Sequence, residues 1–264
     1  MAPKTIDYHL TTYYFTYARH KPALWVEPGT SVRLPLLDAG RRDASDRVVP
    51  DDVLESVEGV DLYRGNPLAG PICVHGAEPG DTLVCHIRRI DLDRATAWSS
   101  FGPGFGCLTG EGPGKRLQLT PAMPAHRFTW KISPDRRTAT LAMPRSRLKK
   151  ITIPLHPFIG SIGVAPRYGR VETSVTPGEY GGNMDCVDTC AGVALHLPVF
   201  IRGGYLLLGD VHAAQGDGEI CGVALETSAV VTLRLEVRKG RPIDWPRIES
   251  RNEIMTVGSA RPLW

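Results

Sequence analysis

Glycine and proline interrupt this chain so often that few runs are long enough for a helix. Its 264 residues include 28 glycines and 22 prolines, and turn-formers at that density favour many short strands. The stretch ITIPLHPFIGSIGVAPRYG carries the pattern furthest. Its prolines and glycines between Pro154 and Gly169 exclude regular helix. Such a segment is expected to run over the edge of a core and to place side chains in a cleft. Elsewhere strand signals alternate with turns. Thr82 to Ile90 follows the turn Gly76 to Asp81, with Leu83, Cys85 and Ile87 on one face. HRFTWKI and RTATLAM read as a hairpin turned near Ser133-Pro134-Asp135. SAVVTLRLEVRKG is the cleanest strand, with Val230, Thr232, Leu233 and Leu235 partly buried and Arg234, Glu236 and Arg238 facing out. One more strand is expected at Glu253 to Val257.

Two segments read as loops. Residues 40 to 66 are charged, with one short helix near Asp51 to Val57 that Asp51 caps; a loop of this length is often a lid or a contact surface. WSSFGPGFGCLTGEGPG, residues 98 to 114, lacks the helix and basic partner of a phosphate cradle and reads as a flexible aromatic loop over a pocket. The expected fold class is mostly β, in β-sandwich or jelly-roll-like units with few short helices. Two β-rich units are expected, 1–150 and 151–264, the second carrying the site; one intertwined domain is the alternative.

The totals bound the function. A net charge of +3, from 31 Lys and Arg against 28 Asp and Glu, is too balanced to imply nucleic acid. The basic cluster RSRLKK, Arg145 to Lys150, reads as a solvated turn. MAPKTIDYHL lacks a leader's apolar region, and no run approaches the ~18 apolar residues of a membrane span. Six cysteines without paired spacing read as reduced thiols, so a cytoplasmic setting is expected. Cys186 and Cys190 have no second pair to complete a zinc site and read as small core thiols. His20 reads as a surface histidine.

The functional signal is concentrated between Gly181 and Glu226. Apolar residues dominate from Val193 to Leu208, and then Asp210, His212, Gln215, Asp217 and Glu219 arrive within ten positions. Such groups are costly to bury unless each finds a partner. On a strand, Asp210 and His212 project to one face, ~7 Å apart by Cα. The glycines at 216 and 218 let the chain turn so that Glu219 returns towards His212. Asn183 and Asp185 can approach from an adjacent segment. Imidazole plus carboxylates suits zinc or another divalent ion with an open position. The bland reading is that Asp-x-His is a satisfied core pair and Gly-Asp-Gly a turn.

GGNMD, LPVF, GDVHAAQGDGEICGVALE and HPFIGSIGVAP, with GPICVHGAEPGDTL and GPGFG upstream, together resemble the acetamidase/formamidase family from about His20 to Trp264. The resemblance implies hydrolysis of a short carboxamide such as formamide or acetamide, in a cytoplasmic homo-oligomer with a divalent metal, zinc by expectation. It places Asp185, Asp210 and His212 as metal ligands and Glu219 as general base. Asn183 or backbone amides are expected to steady the oxyanion, and His156 and Gln215 are candidates to orient the amide. The chain departs from the family pattern at Gly203-Gly204-Tyr205-Leu206, where Tyr205 would alter a pocket wall and the acyl group accepted. Relatives continue with a helical tail, so part of a subunit contact is expected to be missing after Trp264. A lactam hydrolase and a non-catalytic β-sandwich with a structural ion remain alternatives.

Overall fold

A computed structural model describes residues 5–56, 64–106 and 124–260. Among these, the chain is built almost wholly from strands, with two three-residue 3₁₀ turns, Asp51–Val53 and Arg167–Gly169. One sheet has seven strands in the order Thr5–Asp7, Ser31–Leu36, Ala229–Arg238, Thr82–Leu92, Ala194–Pro198, Arg247–Glu249 and Ile254–Thr256. Thr16–Tyr17 and Glu172–Thr173 form a separate two-stranded sheet. The remaining sheet has eleven strands. Its central path runs Thr96–Phe101, Leu225–Glu226, Leu206–Ala214, Phe158–Gly163 and Gly181–Asn183, and Leu68–Val74 also pairs with Leu206–Ala214. Both larger sheets take strands from either side of residue 150. No helix among the described residues is long and apolar enough to cross a membrane.

The core explains why the sheets stack. Leu34, Leu83, Ile87, Leu233 and Leu235 from the first sheet join Ile159, Ile162, Leu208 and Val211 from the second in one buried cluster. Each such side chain contributes about 1.5–3 kcal/mol when fully buried. The mostly-β expectation therefore holds, as two packed sheets with few helical residues.

Local expectations fared unevenly. The 126–143 hairpin forms as His126–Ile132 and Thr138–Met143. The strand Ala229–Arg238 forms too, but its buried face is Ala229, Val231, Leu233 and Leu235; Val230 and Thr232 point the other way. Val230 and Thr232 share the parity of Arg234, Glu236 and Arg238, so they lie on the same outward face, while the strand pairs with Ser31–Leu36 and Thr82–Leu92. The expected helix shrinks to Asp51–Val53, with Pro50 rather than Asp51 at its cap position; Val57 lies outside the described residues. Residues 98–101 belong to the strand Thr96–Phe101, and residues 107–114 lie outside the described set.

The largest correction concerns the Pro- and Gly-rich stretch. Phe158–Gly163 is not at an edge: it is buried along its whole length, between Leu206–Ala214 and Gly181–Asn183. Pro157 and Pro166 fall outside the paired residues, Pro154 ends the separate strand Lys149–Pro154 opposite Thr138, and the glycines are what make the central place possible. A Cβ on Gly163 would lie 2.6 Å from the Gly182 nitrogen and 2.7 Å from the Tyr180 carbonyl oxygen.

Because Leu233 is fully buried between the sheets, Leu233→Ala is expected to cost about 2–5 kcal/mol. Denaturant titration checks this: the midpoint should fall with little change in slope.

Candidate metal centre

The strand Leu206–Ala214 crosses the middle of the eleven-stranded sheet and carries Asp210 and His212, both buried. Asp210 has a φ of 58°, unusual inside a strand. Asp185 (φ 45°), Glu219 (φ 42°) and Asn66 (φ 52°) also hold left-handed backbone. Four such residues line one cavity of about 530 Å³, together with Trp98 and Glu226. Backbone of this kind costs of order 1–3 kcal/mol per residue and gathers at functional sites.

Gly160 makes room for the carboxylates. A Cβ there would stand 2.9 Å from Asp210 Oδ2 and 3.0 Å from Asp185 Oδ1. The two acids thus meet over a bare backbone on the neighbouring strand. Around them, Asn66 Nδ2 donates to Asp210 Oδ2 (2.8 Å) and to Asn183 Oδ1 (3.0 Å). Ser161 Oγ also donates to Asn183 Oδ1 (2.5 Å), and Asn183 Nδ2 donates to Asp185 Oδ2 (2.5 Å). Asn183 therefore holds Asp185 in place.

His212 is oriented from behind. Its Nδ1 lies 2.8 Å from Gln215 Oε1, and Gln215 Nε2 donates to the Asp185 carbonyl oxygen at 2.8 Å. The Gln215 amide has its oxygen towards the ring, so Nδ1 carries a proton, and a cation would displace only the proton on Nε2. That Nε2 lies 3.3 Å from Asp210 Oδ1 and 3.4 Å from Glu226 Oε1. Ligand atoms about 2.0–2.2 Å from one tetrahedral ion stand about 3.4 Å apart. Asp185, His212 and Glu219 each offer an atom within 4.8 Å of the others, and so do Asp210, His212 and Glu226.

Among the described residues, three buried oxygens of this group, Asp185 Oδ1, Asp210 Oδ1 and Glu226 Oε2, find no hydrogen-bond partner. Each costs about 1–3 kcal/mol if left so. A divalent cation held by these side chains would offset that cost, and the donor set of one imidazole and carboxylates fits zinc. Without it, protons take its place. Burial, with the charges of Asp210 and Glu219, raises Asp185 to about 8. Burial also lifts Glu226 well above the carboxylate range, although His212 opposes this. Glu219 is raised by burial, with His212 again opposing. Burial lowers His212, but Glu226 and Asp210 outweigh it and hold the ring well above its ordinary value.

The other expected site residues lie elsewhere. His156 is exposed and does not line the cavity. Tyr205 is buried against Cys73 and Ala165, and its hydroxyl accepts from Arg19 Nε at 3.4 Å, away from the cavity. Asp217 is exposed. His20 is half-buried rather than on the surface: it stacks on Tyr14 and its Nε2 lies 2.9 Å from Thr16 Oγ1. Cys186 and Cys190 are half-buried free thiols. Asn66, Ser161 and Glu226 were not singled out from the sequence. Glu226 had a legible signal, as the single ionisable side chain between Gly222 and Leu233. Asn66 and Ser161 had none.

A sequence profile described as the Acetamidase/Formamidase family matches residues 18–172 and 168–262. The chain belongs to that family. It is 27% identical over 291 residues to an acetamidase of Mycolicibacterium smegmatis, covering 92% of this chain and 69% of the relative. It is 26% identical over 252 residues to a formamidase of Methylophilus methylotrophus, covering 81% and 61%. The solved acetamidase of Yersinia enterocolitica superposes with a TM-score of 0.79 at 31% identity, covering 100% of this chain and 77% of that one. The chain thus spans about 61–69% of the curated acetamidase/formamidase relatives it matches.

Two outcomes follow for the site. Gln215→Ala should weaken zinc binding about 10–100-fold, read by calorimetric titration. In the cation-free protein, the raised Asp185 stabilises the fold below its unfolded value of 3.8, and that stability is lost as pH rises through about 8. Cation binding needs the deprotonated ligands. The gap in melting temperature between zinc-loaded and chelated protein should therefore widen from pH 5 to pH 8.

Proposed function

We propose that this chain hydrolyses a short linear carboxamide to the carboxylate and ammonia at a divalent cation, zinc by its donor set. The observation that carries this is the gathering of buried carboxylates about His212: its Nε2 lies 3.3 Å from Asp210 Oδ1 and 3.4 Å from Glu226 Oε1, and Asp185 and Glu219 each offer an oxygen within 4.8 Å of the ring's ligand atom. The names of its relatives support the reaction class. Asp185, Asp210, His212 and Glu226 would hold the cation, Glu226 joining the three ligands expected from sequence. When bound, such an ion supplies Lewis acidity towards a carbonyl oxygen and towards water.

The chain's own groups supply the rest. Glu219 is half-exposed on the cavity wall, beside Asp185 and His212. Its raised proton affinity suits a base that takes a proton from the attacking water and returns it to the amide nitrogen as the C–N bond breaks. Water adds, the carbonyl carbon keeps the oxygen, and nitrogen leaves as ammonia. Gln215 keeps His212 in the tautomer that faces the acids, and Asn183 keeps Asp185 turned towards them. A homo-oligomer and a cytoplasmic setting belong to the same proposal.

Ammonia release from formamide and acetamide tests the reaction, alongside the metal content of the purified protein. Glu219→Gln should lower kcat by about 10²–10⁴-fold while the melting temperature stays near wild type. Loss of the fold with Glu219→Gln would instead mark a structural ion. Full activity after chelation would remove the cation from the account and leave the reaction.

A further inference from the structure

The cavity lining is part acidic and part apolar, and one aromatic residue of the apolar part stands directly beside the acids. Trp98 is the direct cross-strand partner of Glu226, in the pairing of Thr96–Phe101 with Leu225–Glu226. Directly opposed residues present their side chains on the same face of a sheet. The indole therefore stands beside the carboxylate at the candidate metal centre, and both line the cavity.

Trp98 is held from three sides. Its Nε1 donates to Asp38 Oδ2 at 2.9 Å. The Arg127 guanidinium lies 3.9 Å from the ring centroid. Gly40 packs against the ring, since a Cβ there would be 3.4 Å from Trp98 Cζ2. Asp38 itself is fully buried, paired with the buried Arg94 at 2.8 Å and accepting from the Arg42 nitrogen at 2.9 Å. A buried ion pair is thus spent on fixing an indole. With Nε1 occupied, Trp98 offers the cavity carbon surface and no donor. Phe105, Val175 and Val223 continue that surface.

The size of the space points the same way. At about 530 Å³, the cavity falls in the range of about 300–1,000 Å³ typical of sites for drug-sized ligands. Formamide or acetamide, with three or four heavy atoms, would leave most of the apolar part bare. We propose that Trp98 is the specificity-determining residue for the acyl group, and that the substrates this chain prefers are amides with an apolar acyl group of several carbons or an aromatic ring. This rests on the amidase reading above. The carboxamide sits at the acids, and the acyl group lies along the indole.

The test is a panel of formamide, acetamide, butyramide and benzamide, with kcat and KM measured for wild type, Trp98→Ala and Trp98→Phe. Each methylene buried against the wall is worth about fourfold. Wild-type kcat/KM should therefore rise roughly fifteenfold from acetamide to butyramide, which adds two methylenes. The benzamide-to-acetamide ratio should fall roughly tenfold in Trp98→Ala, mainly through KM, and be largely kept in Trp98→Phe. A wild type that prefers formamide or acetamide, or a ratio unmoved by Trp98→Ala, would overturn the proposal; the wild-type panel decides this even if the alanine variant does not fold. If no amide is turned over, the amidase reading falls separately, and calorimetric titration with benzamide decides the wall. Binding by wild type that weakens roughly tenfold in a Trp98 variant upholds it; no binding, or equal binding, overturns it.

Discussion

Like charges forced together out of water set the terms for the whole centre. Asp185, Asp210, Glu219 and Glu226 approach one imidazole at the middle of a sheet whose neighbours are apolar. Neither burial nor mutual repulsion tolerates them all ionised and unpaired. Either protons or a cation must neutralise them. The raised proton affinities of Asp185, Glu219 and Glu226 are the first solution, and a divalent ion is the second. The two would compete for the same oxygens, so the proposed metal binding would be tied to the protein's pH behaviour.

The fold is arranged to hold that cluster at fixed spacing. Phe158–Gly163 and Gly181–Asn183 flank the site strand through close backbone contact at Gly160 and Gly163. Left-handed backbone at Asn66, Asp185, Asp210 and Glu219 turns their side chains into the cavity. The stacked core opposes the strain. Gln215 and Asn183 then lock the orientation of individual atoms, and this decides which lone pairs face inwards.

How much of this was legible in the sequence depended on range. Turn residues and alternation announced a mostly-β chain, because both act over a few residues. The run from Asp210 to Glu219 was visible for the same reason. Long-range pairing was not. The stretch after Pro154 looked like an edge because its glycines and prolines weaken a strand in isolation; the tertiary structure uses Gly160 and Gly163 to bring other backbones close. Asn66 lies 144 residues from Asp210 and Ser161 lies 49 from it, so no local pattern ties them to the site. His156 and Tyr205 were carried by motif proximity, and both sit in connections just before strands, away from the cavity. Glu226 was readable from its isolation in an apolar run, a signal that needed only to be weighed as a burial cost.

The central claim is that one cation sits among these acids against His212 Nε2. Anomalous diffraction at the zinc edge, on crystals of zinc-loaded protein, tests it most directly. The account predicts a peak about 2.0–2.2 Å from His212 Nε2, with oxygens of Asp185, Asp210 and Glu226 turned towards it. A zinc-loaded crystal with no peak there, and the imidazole instead hydrogen-bonded between the carboxylates, would contradict it.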